Sequence, residues 1–251
     1  MFNFYKFNKI LRMIFLFVFP SFLLRFFNGF LGIKVYRKGK VGFSLILCDS
    51  LIVSESSKVG HFNLISMKGL YLSRKSYIAH LNRFNGPFNL RLAETAGIGN
   101  FNTFVKAPLT VNNRVSSVYL GKLSKITSRH YIDCMCNITI LSYTTIAGMG
   151  SQMWTHGYYH FRGIHKRVRI DGKISIGRYC YIGSGSVFNP GVRICDSVNL
   201  GCNSTISKTI SQEGFYVNQE LRRIDKEPDF DARLRKEKPE ITVEDTYVKE
   251  I

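Results

Sequence analysis

Between Gly148 and Val168 the chain reads GMGSQMWTHGYYHFRGIHKRV, and this stretch holds three of the protein's six histidines together with a cluster of aromatic residues. Neutral imidazole titrates near physiological pH, so a histidine here can take a proton from a hydroxyl or hold a metal ion. His156 and His160 are the candidates for that work. His165, followed by Lys166 and Arg167, reads as part of a basic rim. Trp154, Tyr158, Tyr159 and Phe161 offer flat faces that suit a sugar ring, or they anchor the loop. Outside the loop, His61 and His80 read as structural or surface residues without an evident partner. His130 reads as an inward or corner imidazole with a satisfied hydrogen bond.

The elements that must position this loop follow from a six-residue period. From residue 170 to 206 an apolar side chain recurs at Ile170, Ile176, Ile182, Phe188, Ile194, Leu200 and Ile206, and small or apolar residues precede each by two. Six is a multiple of the strand period and not of the helical one. A strand that buries two residues, turns and repeats can close only by winding into a parallel β-solenoid. Weaker repeats reach back through Leu120, Ile126, Ile132 and Ile138, and through Ile78, Phe84 and Leu90. The expected organisation is therefore an N-terminal segment over 1–40, an all-β solenoid over 41–211 interrupted by the loop 148–168, and a charged tail over 212–251. Residues 18 apart should stack, which sets Pro190 beside Lys208, Ser184 beside Cys202 and Arg178 beside Asp196, the last as an ion pair.

The hexads Ile176-Gly177, Ile182-Gly183-Ser184, Asn189-Pro190-Gly191-Val192, Leu200-Gly201 and Ser204 to Lys208 resemble those of the hexapeptide-repeat acyltransferases, and within them the maltose, galactoside and polysaccharide O-acetyltransferases. The resemblance implies a left-handed parallel β-helix, a homotrimer and acetyl-CoA as acyl donor, with no metal. It maps a Thr-His segment bearing the catalytic base onto Thr155-His156, with His160 as substitute. It also carries Ser184, Ser207 and Lys208 onto the coenzyme slot, while Trp154 and Tyr158, read from their residue types, are the candidates to bind the acceptor. The implied reaction is O-acetylation of a sugar hydroxyl destined for a surface polysaccharide such as capsule, O-antigen or exopolysaccharide. N-acetylation of an amino-sugar nucleotide would use the same histidine. The solenoid is also the fold of γ-type carbonic anhydrases, but their three zinc histidines come from separate coils, whereas here three crowd one loop. A non-catalytic solenoid is the remaining alternative.

Net charge is +18 over 251 residues, and it is uneven. Residues 1–110 carry 15 Lys/Arg against 3 Asp/Glu, whereas 212–251 carry 8 against 11. Any anionic partner therefore meets the body. No nucleic-acid-binding motif spacing is present, which argues against nucleic acid. The six cysteines lack the density of a secreted disulfide scaffold and read as structural filler in a reducing compartment. Near the N-terminus, MIFLFVFPSFLL between Arg12 and Arg25 is too short to span a bilayer. With Lys6, Lys9, Lys34, Arg37, Lys38 and Lys40 nearby, it reads either as an interfacial segment on the cytoplasmic leaflet of an anionic membrane or as a cap over the first coil. The expected location is cytoplasmic, peripheral on the membrane.

Overall fold

The computed structural model describes residues 4–218 except 20, 25, 27–28, 30–31, 110–113 and 163–166, with the backbone alone for 4–9. The expectations for His165, Lys166, the side chains of Lys6 and Lys9, Arg25 and the tail beyond residue 218 lie outside the described residues.

The chain winds into a parallel β-solenoid. On one face Val41, Val59, Ile78, Ile98, Ile126, Ile146, Ile182, Leu200 and Tyr216 stack in register through a nine-stranded sheet. A second column runs Phe84, Phe104, Ile132, Met153, Phe188 and Ile206. A third runs Val53, Leu72, Leu92, Leu120, Ile140, Ile176 and Ile194. Apart from Val41 and Tyr216, which are half-buried, these side chains are buried and form one continuous core. Each fully buried Val, Ile, Leu or Phe contributes about 1.5–3 kcal/mol, so the columns are the main source of stability.

Cross-coil hydrogen bonds between residues 18, 19 and 20 apart show that the coils differ in length, which explains why the early repeat slips out of phase. A buried polar ladder lines one corner: Asn63 Oδ1 accepts the Asn82 N–H at 2.9 Å, Asn82 Oδ1 the Asn102 N–H at 2.8 Å, and Asn102 Oδ1 the His130 N–H at 3.0 Å. His130 continues it, its Nδ1 accepting the Ser151 N–H at 3.1 Å. That bond leaves the ring proton on Nε2, which lies 2.9 Å from Thr127 Oγ1. Burial holds the His130 pKa down at about 4.

Several boundaries differ from the expectation. Parallel pairing begins at Ile33–Val35 on Leu51–Val53, earlier than residue 41. It persists to Gly214–Tyr216 on Val198–Leu200, where a shortened coil hides the period. Val168 and Ile170 are exposed and belong to an excursion from the core, so the regular run starts at Ile174. Gln152–Met153, within the expected loop, still pairs with both neighbouring coils. Asp196 takes the backbone N–H of Arg178 at 2.7 Å rather than its guanidinium, because the turn brings main chain and not side chain to the carboxylate. All six cysteines are free thiols, and Cys202, at a turn, is exposed rather than filler. His61 and His80 are partners after all, their rings stacked with centroids 5.5 Å apart.

At the N-terminal end, helix α1 (Phe4–Val18) packs on Leu45–Val53 and helix α2 (Ser21–Leu24) on the first strands. Leu16 and Leu24 are buried, and the Arg12 guanidinium donates to the Cys48 carbonyl. Ile10, Leu11, Ile14, Phe17, Val18 and Phe22 remain exposed. Among the described residues no helix is long and apolar enough to cross a membrane.

Candidate active site

The excursion that carries the aromatic-histidine cluster is an antiparallel hairpin, His156–His160 against Arg167–Asp171. It leaves the solenoid after Trp154-Thr155 and is closed at its base by the Gly172 N–H donating to the Thr155 carbonyl at 2.9 Å. Tyr, Val and Ile favour extended backbone there, and most side chains of the pair are exposed.

His156, the first residue of this hairpin, is held by Asp133 of the preceding coil: Nδ1 and Oδ2 are 2.7 Å apart. The carboxylate is almost fully buried, with 4% of its side chain exposed, against 26% for the imidazole. The same Oδ2 accepts the Thr155 N–H at 2.9 Å and lies 2.8 Å from the Thr155 hydroxyl. That hydroxyl in turn accepts the Cys136 N–H at 3.0 Å. An ionised carboxylate only accepts, so Nδ1 is the nitrogen that carries the proton, and in the neutral ring this leaves the Nε2 lone pair free. Among the described residues Nε2 has no hydrogen-bond partner. Such an imidazole is oriented and electronically prepared to remove a proton, and the buried carboxylate stabilises the imidazolium that results.

Other groups surround the pair. Lys106, buried one coil earlier, donates from Nζ to the Met135 carbonyl at 2.9 Å, and burial lowers its pKa. Burial raises the Cys136 thiol, so its sulfur stays protonated and is a poor nucleophile. Tyr158 meets His156 edge to face at 6.0 Å between centroids. Trp154 is fixed by a ring contact to Tyr131 at 5.1 Å and by its Nε1–H donating to Gln152 at 3.0 Å.

The other residues singled out by the sequence are distributed as follows. His160 is exposed at the far end of its strand, opposite Arg167, four residues from His156 and so roughly 13 Å along the chain. Ser207 and Lys208 line a pocket of about 240 Å³ with Ser204, Tyr216 and Asn218. The register that aligns Ile132, Met153, Phe188 and Ile206 puts Lys208 on the same corner of the solenoid as Thr155, two coils further on. Ser184 belongs to a different corner, after Ile182. There its hydroxyl donates to the Met149 carbonyl at 2.7 Å and accepts the Met149 N–H at 2.9 Å. This close approach requires Gly148, where φ is 65° and an added Cβ would come within 2.5 Å of Ser184 Oγ. Asp133 is the residue of this candidate site that the sequence did not reveal. Its only signal is an Asp at the end of the strand one coil before the Thr-His pair. Among the described residues no group of three His, Cys, Asp or Glu is placed to hold a metal ion.

No protein-family profile matches the chain, and no curated protein matches it by sequence. Among solved structures it is similar to the polySia-specific acetyltransferase NeuO, with a TM-score of 0.51 and 18% identity over 81% of this chain and 99% of that one. What is shared is the fold. A variant of AntD, an N-acyltransferase from Bacillus cereus in complex with dTDP and coenzyme A, is also similar, with a TM-score of 0.38 and 17% identity over 73% of this chain and 90% of that one.

Proposed function

We propose that the protein is an acetyl-CoA-dependent O-acetyltransferase acting on a sugar hydroxyl of a surface polysaccharide or its precursor. The observation that carries this reading is the buried Asp133 carboxylate holding His156 with Nε2 free at the edge of a solenoid. The likeness of fold to an acetyltransferase supports it.

In the proposed reaction His156 Nε2 takes the proton of the acceptor hydroxyl as its oxygen attacks the thioester carbonyl. The tetrahedral intermediate then collapses, the C–S bond breaks, and the imidazolium returns the proton to the departing CoA thiolate. The products are an acetyl ester and free CoA. Asp133 holds the ring in one tautomer throughout, and no acyl-enzyme is needed, in keeping with the protonated Cys136 thiol. Ser184, Ser207 and Lys208 are assigned to acetyl-CoA, with Lys208 toward its phosphates, and Trp154 and Tyr158 to the acceptor. Because Ser184 and Lys208 stand on different corners of one chain, a homotrimer with the coenzyme between neighbouring solenoids belongs to the same proposal. A position on the cytoplasmic face of an anionic membrane belongs to the proposal as well, supported by the exposed side of α1 and the basic body.

Release of CoA thiol on addition of sugar acceptors tests the reading. Acceptor-dependent release that gives an alkali-labile ester is expected. An amide formed on amino sugars alone would replace O- by N-acetylation, and no acceptor-dependent release would overturn the reading.

A further inference from the structure

The hairpin beside the base is rich in cations, and two of them, Arg167 and Arg169, lie against one ring. In the antiparallel register Tyr158 pairs with Arg169, and His156 with Asp171. The Arg167 guanidinium lies 4.6 Å from the centre of the Tyr158 ring and that of Arg169 lies 6.0 Å from it. Tyr158 thus neighbours both guanidinium groups and the His156 imidazole. Arg169 is tied at one end only. Its Nε donates to Asp171 Oδ1 at 2.7 Å, while its Nη2 is buried and, among the described residues, has no hydrogen-bond partner. A buried guanidinium N–H without a partner is costly unless something else satisfies it. Asp171 offsets one of the two charges, so the pair keeps a net positive charge beside the reacting position.

We infer that this hairpin reads an anionic group on the acceptor sugar, a carboxylate or a phosphate, with the partly exposed Arg169 guanidinium as its principal donor and Arg167 as a second cation. The inference rests on the acyltransferase reading and names the acceptor class for it. A guanidinium fork matches the geometry of either anion, whereas a neutral hexose brings no charge to match the two cations. Holding the anion fixes the ring against Tyr158 and brings a hydroxyl toward His156 Nε2, so Arg169 is a specificity-determining residue and not the base.

The test compares N-acetylneuraminic acid and glucuronic acid with their methyl esters, and glucose 6-phosphate with glucose, by CoA release. It also follows binding of each without turnover, through the fluorescence of the single tryptophan, Trp154. The expected result is a preference of about 10-fold or more for an anionic member over its neutral counterpart, the scale of one charge-assisted hydrogen bond. Arg169→Gln should remove that preference, and Arg169→Lys should retain part of it, with the KM for acetyl-CoA unchanged in both. Preference for the acids alone assigns a carboxylate, and for the phosphate alone a phosphate. Equal binding of charged and neutral members overturns the inference, as does an Arg169→Gln effect on the acetyl-CoA KM instead, which would give the guanidinium to the coenzyme. Anion-selective, Arg169-dependent binding without any CoA release would sink the acyltransferase reading and leave the anion site standing.

Discussion

Asp133 Oδ2 lies 2.7 Å from His156 Nδ1, across two successive coils of the solenoid. The pair exists only because Asp133 stands at the end of a strand whose register, Tyr131 on Gln152 and Ile132 on Met153, carries the chain directly to the root of the hairpin. Replacing the carboxylate by a neutral amide of similar shape removes the demand for a proton on Nδ1. Asp133→Asn is expected to lower kcat by about 100-fold or more while acetyl-CoA binding persists. Steady-state kinetics with both substrates, alongside circular dichroism to confirm folding, checks this. A variant with near-native kcat would remove Asp133 from the mechanism.

His156→Ala is expected to cost a similar factor of about 100 or more in kcat, because it removes the group that takes the proton. His160→Ala is expected to leave turnover within a few-fold of the parent, since that side chain is exposed at the far end of the hairpin strand. Parallel measurement of the two variants decides between them, and the reverse order of effects would transfer the role to His160.

Lys208→Ala should raise the KM for acetyl-CoA more than that for the acceptor, because a lost phosphate contact weakens one substrate selectively. Acetyl-CoA analogues lacking a phosphate should show a smaller penalty. If the acetyl-CoA constant does not move, the pocket lined by Ser207 and Lys208 serves some other purpose.

His130 gives the fold a pH dependence. Its folded pKa of about 4 is below the usual 6.5, so on acidification the unfolded chain takes up this proton first. The stability associated with the neutral ring is fully present above about pH 6.5 and is lost as pH falls toward 4, to an extent on the order of 3 kcal/mol for a shift of this size. His130→Asn, which substitutes the residue type used by the coils before it, should flatten that part of the profile. Denaturant midpoints between pH 7 and pH 4.5 for parent and variant measure it, and parallel profiles would refute the assignment.

At the other end of the molecule, the two faces of α1 should separate by substitution. Leu16→Ala opens the buried side and is expected to destabilise the protein by about 2–5 kcal/mol, read by thermal or chemical unfolding. Polar substitutions at Ile14, Phe17 and Val18, which are exposed, should leave folding unchanged but reduce sedimentation with anionic liposomes. That binding should also weaken as salt rises. Liposome binding that is absent in the parent would leave the helix as a cap alone.

The six-residue spacing of Ile176, Ile182, Phe188, Ile194, Leu200 and Ile206 determined the solenoid by itself, because a period of six is compatible with stacked strands and with no helix. The crowding of histidine and aromatic residues between Trp154 and His165 also drew attention to the candidate site, since nothing in a coil's turn needs those residue types. What the sequence did not contain was distance. Coils of unequal length shift the phase, so the strand carrying Asp133 could be set under Thr155-His156 only by the backbone register that tertiary packing imposes. The two sides of α1 likewise became distinct only when Leu16 and Leu24 were buried against the first coils. Val168 and Ile170 continue the apolar period in the sequence, yet both are exposed on the hairpin, because pairing with Tyr159 and Gly157 in an antiparallel ribbon took them away from the core. Periodicity records which side chains can face inward; closure of the coils decides which of them do.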